Sequence, residues 1–281
     1  MNIPKKLIDA YNKGSFGIFI GAGVSQSAGL PSWNKLLNEL IDLAVDINIG
    51  DEKERELRLL AKIPSKYLLV AEELKEILSS DMPKFITKRF NDKSIDSPEY
   101  LDRLIKELSY RFVITTNYDN VIEKAFVKAS IVPNELTYRD PSSINYNFIN
   151  EEVFILKAHG DAKRAPEDIV ITEKDYRRII YNSYGYKSIL EALFSTNHLL
   201  FLGASLNDPE LILLLGYIHN IFQGGSPDHF ALMSNKDLTQ TEINRWRKDF
   251  NINIIPYDPK DNHKEVAVFV NDFIKRVEKK S

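Results

Sequence analysis

Four short stretches of the chain bring together residue types that can do chemistry. The first is FGIFIGAGVSQSAGLPSW, residues 16–33, where an apolar run ends in Gly21-Ala22-Gly23-Val24-Ser25 and an amphipathic helix follows from about Trp33. Glycines let the backbone turn tightly and approach a phosphate closely, and free amides near a helix start favour anions. The dinucleotide fingerprint GxGxxG is broken here by Gln26, the third glycine being Gly29, and no Gly-Lys-Ser/Thr of a Walker loop occurs. A bland glycine turn between strand and helix is the competing reading. Ser25 and the turn at Gly29-Leu30-Pro31 favour a phosphate loop.

The second stretch is FVITTNYDNVIEKAF, residues 112–126, where a strand ends in Thr115-Thr116-Asn117-Tyr118-Asp119 and a helix begins at once. Ligands of parallel sheets sit beyond the carboxyl ends of the strands, so these polar groups project toward a crevice. Asp119 is well explained as a helix cap. A second cap at Asn117 would be redundant, which marks Asn117 for chemistry. The third stretch, VFILKAHGDAKRAPEDIVITEKDY at 153–176, delivers His159-Gly160-Asp161 at a strand end. An imidazole titrates near neutrality and can take a proton from a ribose hydroxyl or a water. Thr172 and Asp175 have the spacing of a helix start and are assigned no chemistry. The fourth, LLFLGASLNDPEL at 199–211, carries Gly203-Ala204-Ser205, which can close over the ribose or adenine half of a dinucleotide. Asn207 and Asp208 read as caps before Pro209, and His198, at the opposite strand end, reads as structural.

Positioning these turns requires a sheet. Short apolar runs at 16–20, 112–115, 153–157, 199–203, 229–233 and 252–256 alternate with segments of helical periodicity. That alternation predicts an α/β fold, a Rossmann-like parallel sheet with helices on both faces. Apolar residues three and four apart define helices through Leu36, Leu37, Leu40, Ile41 and Ala44, through Leu211, Ile212, Leu214, Leu215 and Ile218, and from about 263 to 278 through Val266, Phe269, Val270, Phe273 and Ile274. Residues 1–14 read as an amphipathic helix, and Pro98 and Pro209 as first helical residues. Residues 48–110 hold no convincing strand and read as a small helical insertion, a layer or lid, within a single domain spanning 1–281. The polar stretch 131–150 reads as a long surface loop.

Composition narrows the function classes. The 281 residues are 43% hydrophobic and 27% charged with a formal net charge of -3, so no strong positive field argues for nucleic acid or an anionic membrane. No apolar run approaches the roughly 20 residues that span a bilayer, and no signal peptide is evident, which implies a cytoplasmic protein. The cysteine count is zero, which excludes disulfides and thiolate zinc sites. The five histidines form no HExxH-like cluster, so the expectation is no metal.

Taken in order, the four motifs resemble the sirtuin family from about residue 14 to 256. GAGxS corresponds to residues 21–25, AG-hydrophobic-P to Ala28-Gly29-Leu30-Pro31, TQNxD to Thr115-Thr116-Asn117-Tyr118-Asp119, HG to His159-Gly160, and the later glycine loop to Gly203-Ala204-Ser205. Three departures stand out. The four-cysteine zinc ribbon of the lysine deacylases is missing, Thr116 replaces the usual glutamine, and Ser32-Trp33-Asn34 replaces aspartate-phenylalanine-arginine. Without the zinc module one wall of an acyl-lysine groove is gone. The variant TTNYD, LKxHGD and LFLGxSxxDP is similar to the bacterial sirtuin-like NADases of antiphage defence. That resemblance implies hydrolysis of NAD to nicotinamide and ADP-ribose, with NAD as substrate.

The resemblance also implies roles. Gly21, Ala22, Gly23 and Ser25 grip the pyrophosphate, with Thr116, Gly203 and Ser205 completing the dinucleotide site. Asn117 positions the nicotinamide ribose or the attacking water, Asp119 holds the nicotinamide carboxamide, and His159 is the general base. Two alternatives stay open: a module that senses NAD or ADP-ribose without cleaving it, and a zinc-less deacylase or ADP-ribosyltransferase. A defence NADase must be silent until triggered, and no sensor domain is evident in the sequence. Control is therefore expected from a homo-oligomer or from a separate partner, of which a HerA-type ATPase is the one suggested by similar compact relatives.

Overall fold

The computed structural model describes residues 3–236 and 238–278; Met1 and Asn2, part of the expected N-terminal helix, lie outside them. Seven strands form one sheet: β1 Phe16–Ile20, β2 Phe112–Thr115, β3 Asn134–Thr137, β4 Phe154–Lys157, β5 His198–Leu202, β6 His229–Ser234 and β7 Ile252–Tyr257. Their order is β3-β4-β2-β1-β5-β6-β7, and every neighbouring pair is parallel. This is the α/β Rossmann-like sheet that the alternation of runs predicts.

β1, β2 and β4 are buried along their whole length, as strands covered on both faces must be. Side chains alternate between two cores. Ile18, Ile20, Val113, Ile155, Leu200 and Leu202 enter one, beneath the helices Trp33–Asp46, Glu99–Glu107 and Lys260–Glu278. Phe19, Ile114, Phe154, Leu156, Leu199 and Phe201 enter the other, beneath the helices Tyr184–Thr196 and Pro209–Ile221. The period of two along each strand thus divides the helices into two layers.

Strand limits differ from the sequence reading by a residue or so, and one segment differs in kind. Residues 131–150 are no surface loop. They hold β3 and the helix Pro141–Ile149. β3 is the sheet edge, with Asn134 exposed and its other residues half-buried, so Asn-Glu-Leu-Thr carries none of the apolar signature of an inner strand. Pro98 precedes rather than begins its helix, Glu99–Glu107. The last helix is bounded as Lys260–Glu278, but Asp261, Asn262 and His263 are left-handed, with φ of 53°, 54° and 60°. Regular helix therefore starts after His263.

Between β1 and β2 the chain forms the helices Asp51–Leu60, Tyr67–Leu78, Asp81–Phe90 and Glu99–Glu107. Tyr67–Leu78 packs on Trp33–Asp46, whereas Glu99–Glu107 packs on Val121–Lys128 and on the C-terminal helix. The last of the four thus belongs to the layer covering the sheet. No helix of the described residues is long and apolar enough to cross a membrane.

The sheet's amino-terminal end holds two histidines. His198 Nδ1 lies 2.8 Å from the Asp228 carbonyl. His229 is buried edge-on against Phe194 and Phe201, and burial together with nearby His198 pushes its pKa down to about 3. The unfolded chain therefore takes up a proton near pH 6.5 that the folded chain refuses, and stability is lost as pH falls below that value. Replacing His229 with Phe should remove about 2 kcal/mol of the stability lost between pH 7 and pH 5. Chemical denaturation of both proteins at the two pH values measures this; parallel losses would contradict it.

Candidate active site

β1, β2, β4 and β5 end side by side, and the turns that follow them meet. Chain order reverses about β1, with β2 on one side and β5 on the other, which is where doubly wound sheets open a crevice. A cleft of about 550 Å³, open mouth included, lies there. Its walls include Ala22 and Ser25 after β1, Thr116, Asn117 and Asp119 after β2, His159 after β4 and Asp208 after β5.

Glycines permit the turns to meet. Gly21 donates its amide to the Leu202 carbonyl at 2.9 Å, and Gly23 donates to the Gly203 carbonyl at 2.8 Å. A Cβ on Gly21 would stand 2.6 Å from the Ala204 Cα, and one on Gly203, whose φ is +64°, would stand 2.6 Å from the Val24 nitrogen. Of the first loop, Ala22 and Ser25 face the cleft, while the amides of Gly21 and Gly23 bond the neighbouring turn. Gly203 lies behind that contact. Ser205 is exposed, its hydroxyl 3.5 Å from the Asn207 amide, and is not in the cleft wall.

Asn117 ties β2 to β1. Its backbone amide donates to Thr115 Oγ1 at 3.0 Å, and that hydroxyl donates to the Ile20 carbonyl at 2.7 Å. Its side-chain Nδ2 donates to the Gly21 carbonyl at 3.1 Å and to Ser25 Oγ at 2.8 Å. Oδ1 is buried without a partner, so a fixed acceptor is left at the cleft. Asp119 accepts from the Val121 amide at 2.9 Å from one residue ahead of the helix N-cap, Asn120, rather than as the cap itself, and it also lines the cleft. Burial pushes its carboxyl up, against the Val121 amide, the Ser25 hydroxyl and the Lys157 ammonium, which favour the carboxylate.

His159 is 2% exposed, its ring set edge-on to Tyr176 with centroids 5.1 Å apart. Nε2 lies 3.5 Å from Asp208 Oδ2 and 3.5 Å from Glu210 Oε2. Burial disfavours the imidazolium, but the two carboxylates outweigh it and hold the pKa above its ordinary value. Burial in turn raises Glu210, against the pull of His159. Asp208 does cap its helix, with Oδ1 accepting from the Leu211 amide at 3.0 Å, but Oδ2 faces His159 and accepts from the Tyr176 hydroxyl at 2.7 Å. Capping explained one oxygen of Asp208 and concealed the other. The Asp208-Pro209-Glu210 spacing, two carboxylates at a helix start beyond a strand, was the available signal for both. Among the described residues, His159, Asp208 and Glu210 stand close enough together to share a metal ion, a grouping no linear spacing displays.

Trp33 and Tyr118 also line the cleft. Trp33 stacks on Tyr67 at 6.2 Å and supplies an aromatic surface at the mouth. Lys157, the last residue of β4, had no assigned role. Its Nζ is buried and donates to Glu123 at 2.7 Å, to Asp161 at 2.9 Å and to the Asp119 carbonyl at 2.6 Å. One ammonium thereby joins the turns that carry Asp119 and His159.

Comparison with known proteins agrees with this arrangement. Residues 111–255 match the family model described as a SIR2-like domain. The chain is 31% identical over 231 residues to the NAD(+) hydrolase ThsA of Enterococcus faecium, covering 82% of this chain and 45% of that protein. It is 26% identical to the NAD(+) hydrolase ThsA of Bacillus cereus, covering 80% of this chain and 44% of that protein. It is 24% identical to defense-associated sirtuin 2 of Bacillus subtilis, covering 89% of this chain and 24% of that protein. The chain thus spans less than half the length of the relatives it matches.

Removing the Lys157 ammonium leaves buried carboxylates uncompensated. Lys157→Met should cost about 3–5 kcal/mol of stability, read from guanidinium denaturation. A loss below 1 kcal/mol, on the order of a surface pair, would refute the bracing role.

Proposed function

The chain belongs to the SIR2-like family, and on that premise we propose that its cleft binds NAD and hydrolyses the nicotinamide–ribose bond, giving nicotinamide and ADP-ribose, as an effector of antiphage defence by NAD depletion. The observation that supports this most directly is the convergence of Ser25, Asn117, Asp119 and His159 on one cleft at the reversal of strand order. The names of the relatives, NAD(+) hydrolase and defense-associated sirtuin, support the same reading.

The chemistry follows from the residues. The bond between the ribose C1′ and the nicotinamide nitrogen breaks with its electron pair leaving on nicotinamide, and a water oxygen bonds to C1′. Positive charge develops on the ribose, where nearby carboxylate and amide dipoles stabilise it. Asn117 Oδ1, buried and without a partner, accepts from the ribose or from the attacking water. Asp119 holds the carboxamide. Ala22 and Ser25 meet the pyrophosphate, with Gly21, Gly23 and Gly203 shaping that loop and Thr116 flanking it, whereas Ser205 stands exposed outside the cleft wall. His159 turns Nε2 to the carboxylates of Asp208 and Glu210, which leaves Nδ1 to take the proton from water, directly or through a ribose hydroxyl.

We take residues 1–281 as one NAD-binding unit in which the helices of about 48–110 form an insertion that reaches the cleft through Phe90. Residency in the cytoplasm, self-association and control by a HerA-type ATPase complete the proposal. Self-association is supported by the exposed apolar side chains Leu213, Tyr217 and Ile221, spaced along one helix.

His159→Ala should lower NAD cleavage by about 100- to 10,000-fold, with circular dichroism showing that the variant is still folded. Nicotinamide release from purified protein incubated with NAD is the measurement. Equal release by variant and wild type would remove the catalytic assignment, and NAD binding without release by wild type would make the domain a sensor.

A further inference from the structure

We propose that His159, Asp208 and Glu210 form a divalent-cation site of the zinc class at the edge of the cleft, and that a cation bound there stops the hydrolase by withdrawing His159. Two carboxylates face one imidazole in this corner, at 3.5 Å each from Nε2. Among the described residues His159 is the one basic group paired with these two side chains. His159 Nε2 is buried, makes no hydrogen bond of regular geometry, and is aimed between the two carboxylates.

The spacing fits the metal. Zinc holds nitrogen and oxygen ligands at about 2.0–2.2 Å in a tetrahedron, which sets neighbouring ligand atoms about 3.3–3.6 Å apart. The two measured separations fall in that range, and all three ligand atoms lie within 4.8 Å of one another. An imidazole donor selects zinc and its neighbours over magnesium or calcium. Outer contacts hold the set in place: the Leu211 amide fixes Asp208 Oδ1 and the Tyr176 hydroxyl bonds Oδ2. The side chains of Asp208 and Glu210 are 18% and 14% exposed, which leaves an approach from solvent.

The effect on catalysis rests on the reading of His159 as the base. With a metal on Nε2 and the ring neutral, the proton resides on Nδ1, and neither nitrogen can accept another. Occupancy therefore converts the base into a donor.

The test uses the untagged full chain stripped with a chelator. Calorimetric titration should find one equivalent of Zn²⁺, and Co²⁺ should give the intense visible absorption of four-coordinate cobalt, with Mg²⁺ failing to displace either. Glu210→Gln and Asp208→Asn should each weaken Zn²⁺ binding by about 10- to 100-fold, since losing a direct ligand costs at least as much as losing an outer one. Glu210→Gln preserves shape, and Asp208→Asn keeps a capping oxygen, so both can fold; unfolding midpoints check this. NAD cleavage by wild type should fall in step with Zn²⁺ occupancy and return with chelator. Absent cobalt absorption, or equal Zn²⁺ affinity in wild type and Glu210→Gln, overturns the site. Undiminished cleavage at full occupancy overturns the switch. Zn²⁺ bound as described by a chain that leaves NAD intact when metal-free supports the site and sinks only the hydrolase reading.

Discussion

The site depends on how closely two backbones can approach. β1 and β5 end next to each other, and their turns share one cleft because Gly21 and Gly23 reach the carbonyls of Leu202 and Gly203. Any Cβ at Gly21 or Gly203 would enter backbone atoms of the facing turn. With the turns joined, Ser25 stands where Asn117 can reach it from β2, and the Asn117 amide bridges Ser25 and the Gly21 carbonyl. Moving the β1 and β5 turns apart by the width of a methyl group would break the Gly21 and Gly23 bonds to Leu202 and Gly203 and uncouple two walls of the cleft. The glycines thus matter as spacers as much as phosphate-facing residues.

Around this junction charge is distributed unequally. On one flank Lys157 is surrounded by Glu123, Asp161 and the Asp119 carbonyl, an arrangement in which each polar group restrains a turn. Burial of that many charges gains little net stability, but it fixes geometry, because any one partner left alone is costly. On the other flank His159 faces two carboxylates with no second cation among the described residues. The first flank is structural and closed. The second borders the cleft, where a buried imidazole beside two acidic side chains is suited to proton exchange.

Membership of the SIR2-like family accounts for the arrangement of the turns without deciding every chemical detail. Trp33 stands at the cleft where the resemblance predicts a phenylalanine, and keeps an aromatic wall there. Thr116 stands in place of a glutamine and lines both the main cleft and a smaller apolar cavity behind it, bounded by Phe19, Tyr186 and Leu190. The region in which this chain differs from the deacylases is therefore part of the pocket wall as well as the missing zinc module.

The sequence by itself determined the parallel sheet, the alternation of strand and helix and the identity of the turns after β1, β2, β4 and β5. These depend on local periodicity and on glycine and capping chemistry within a few residues. It did not determine β3, because an edge strand is half-solvated and Asn-Glu-Leu-Thr lacks an inner strand's apolar pattern. It did not reveal that Asp208 and Glu210 face His159, because about fifty positions of chain separate them and the capping of Leu211 already explained one carboxylate oxygen. Nor did it show Lys157 as a brace, since a lysine ending a strand reads as solvated until three turns close over it. Tertiary structure decided which polar groups share a buried space. That is a property of distances between remote segments, which linear spacing does not carry.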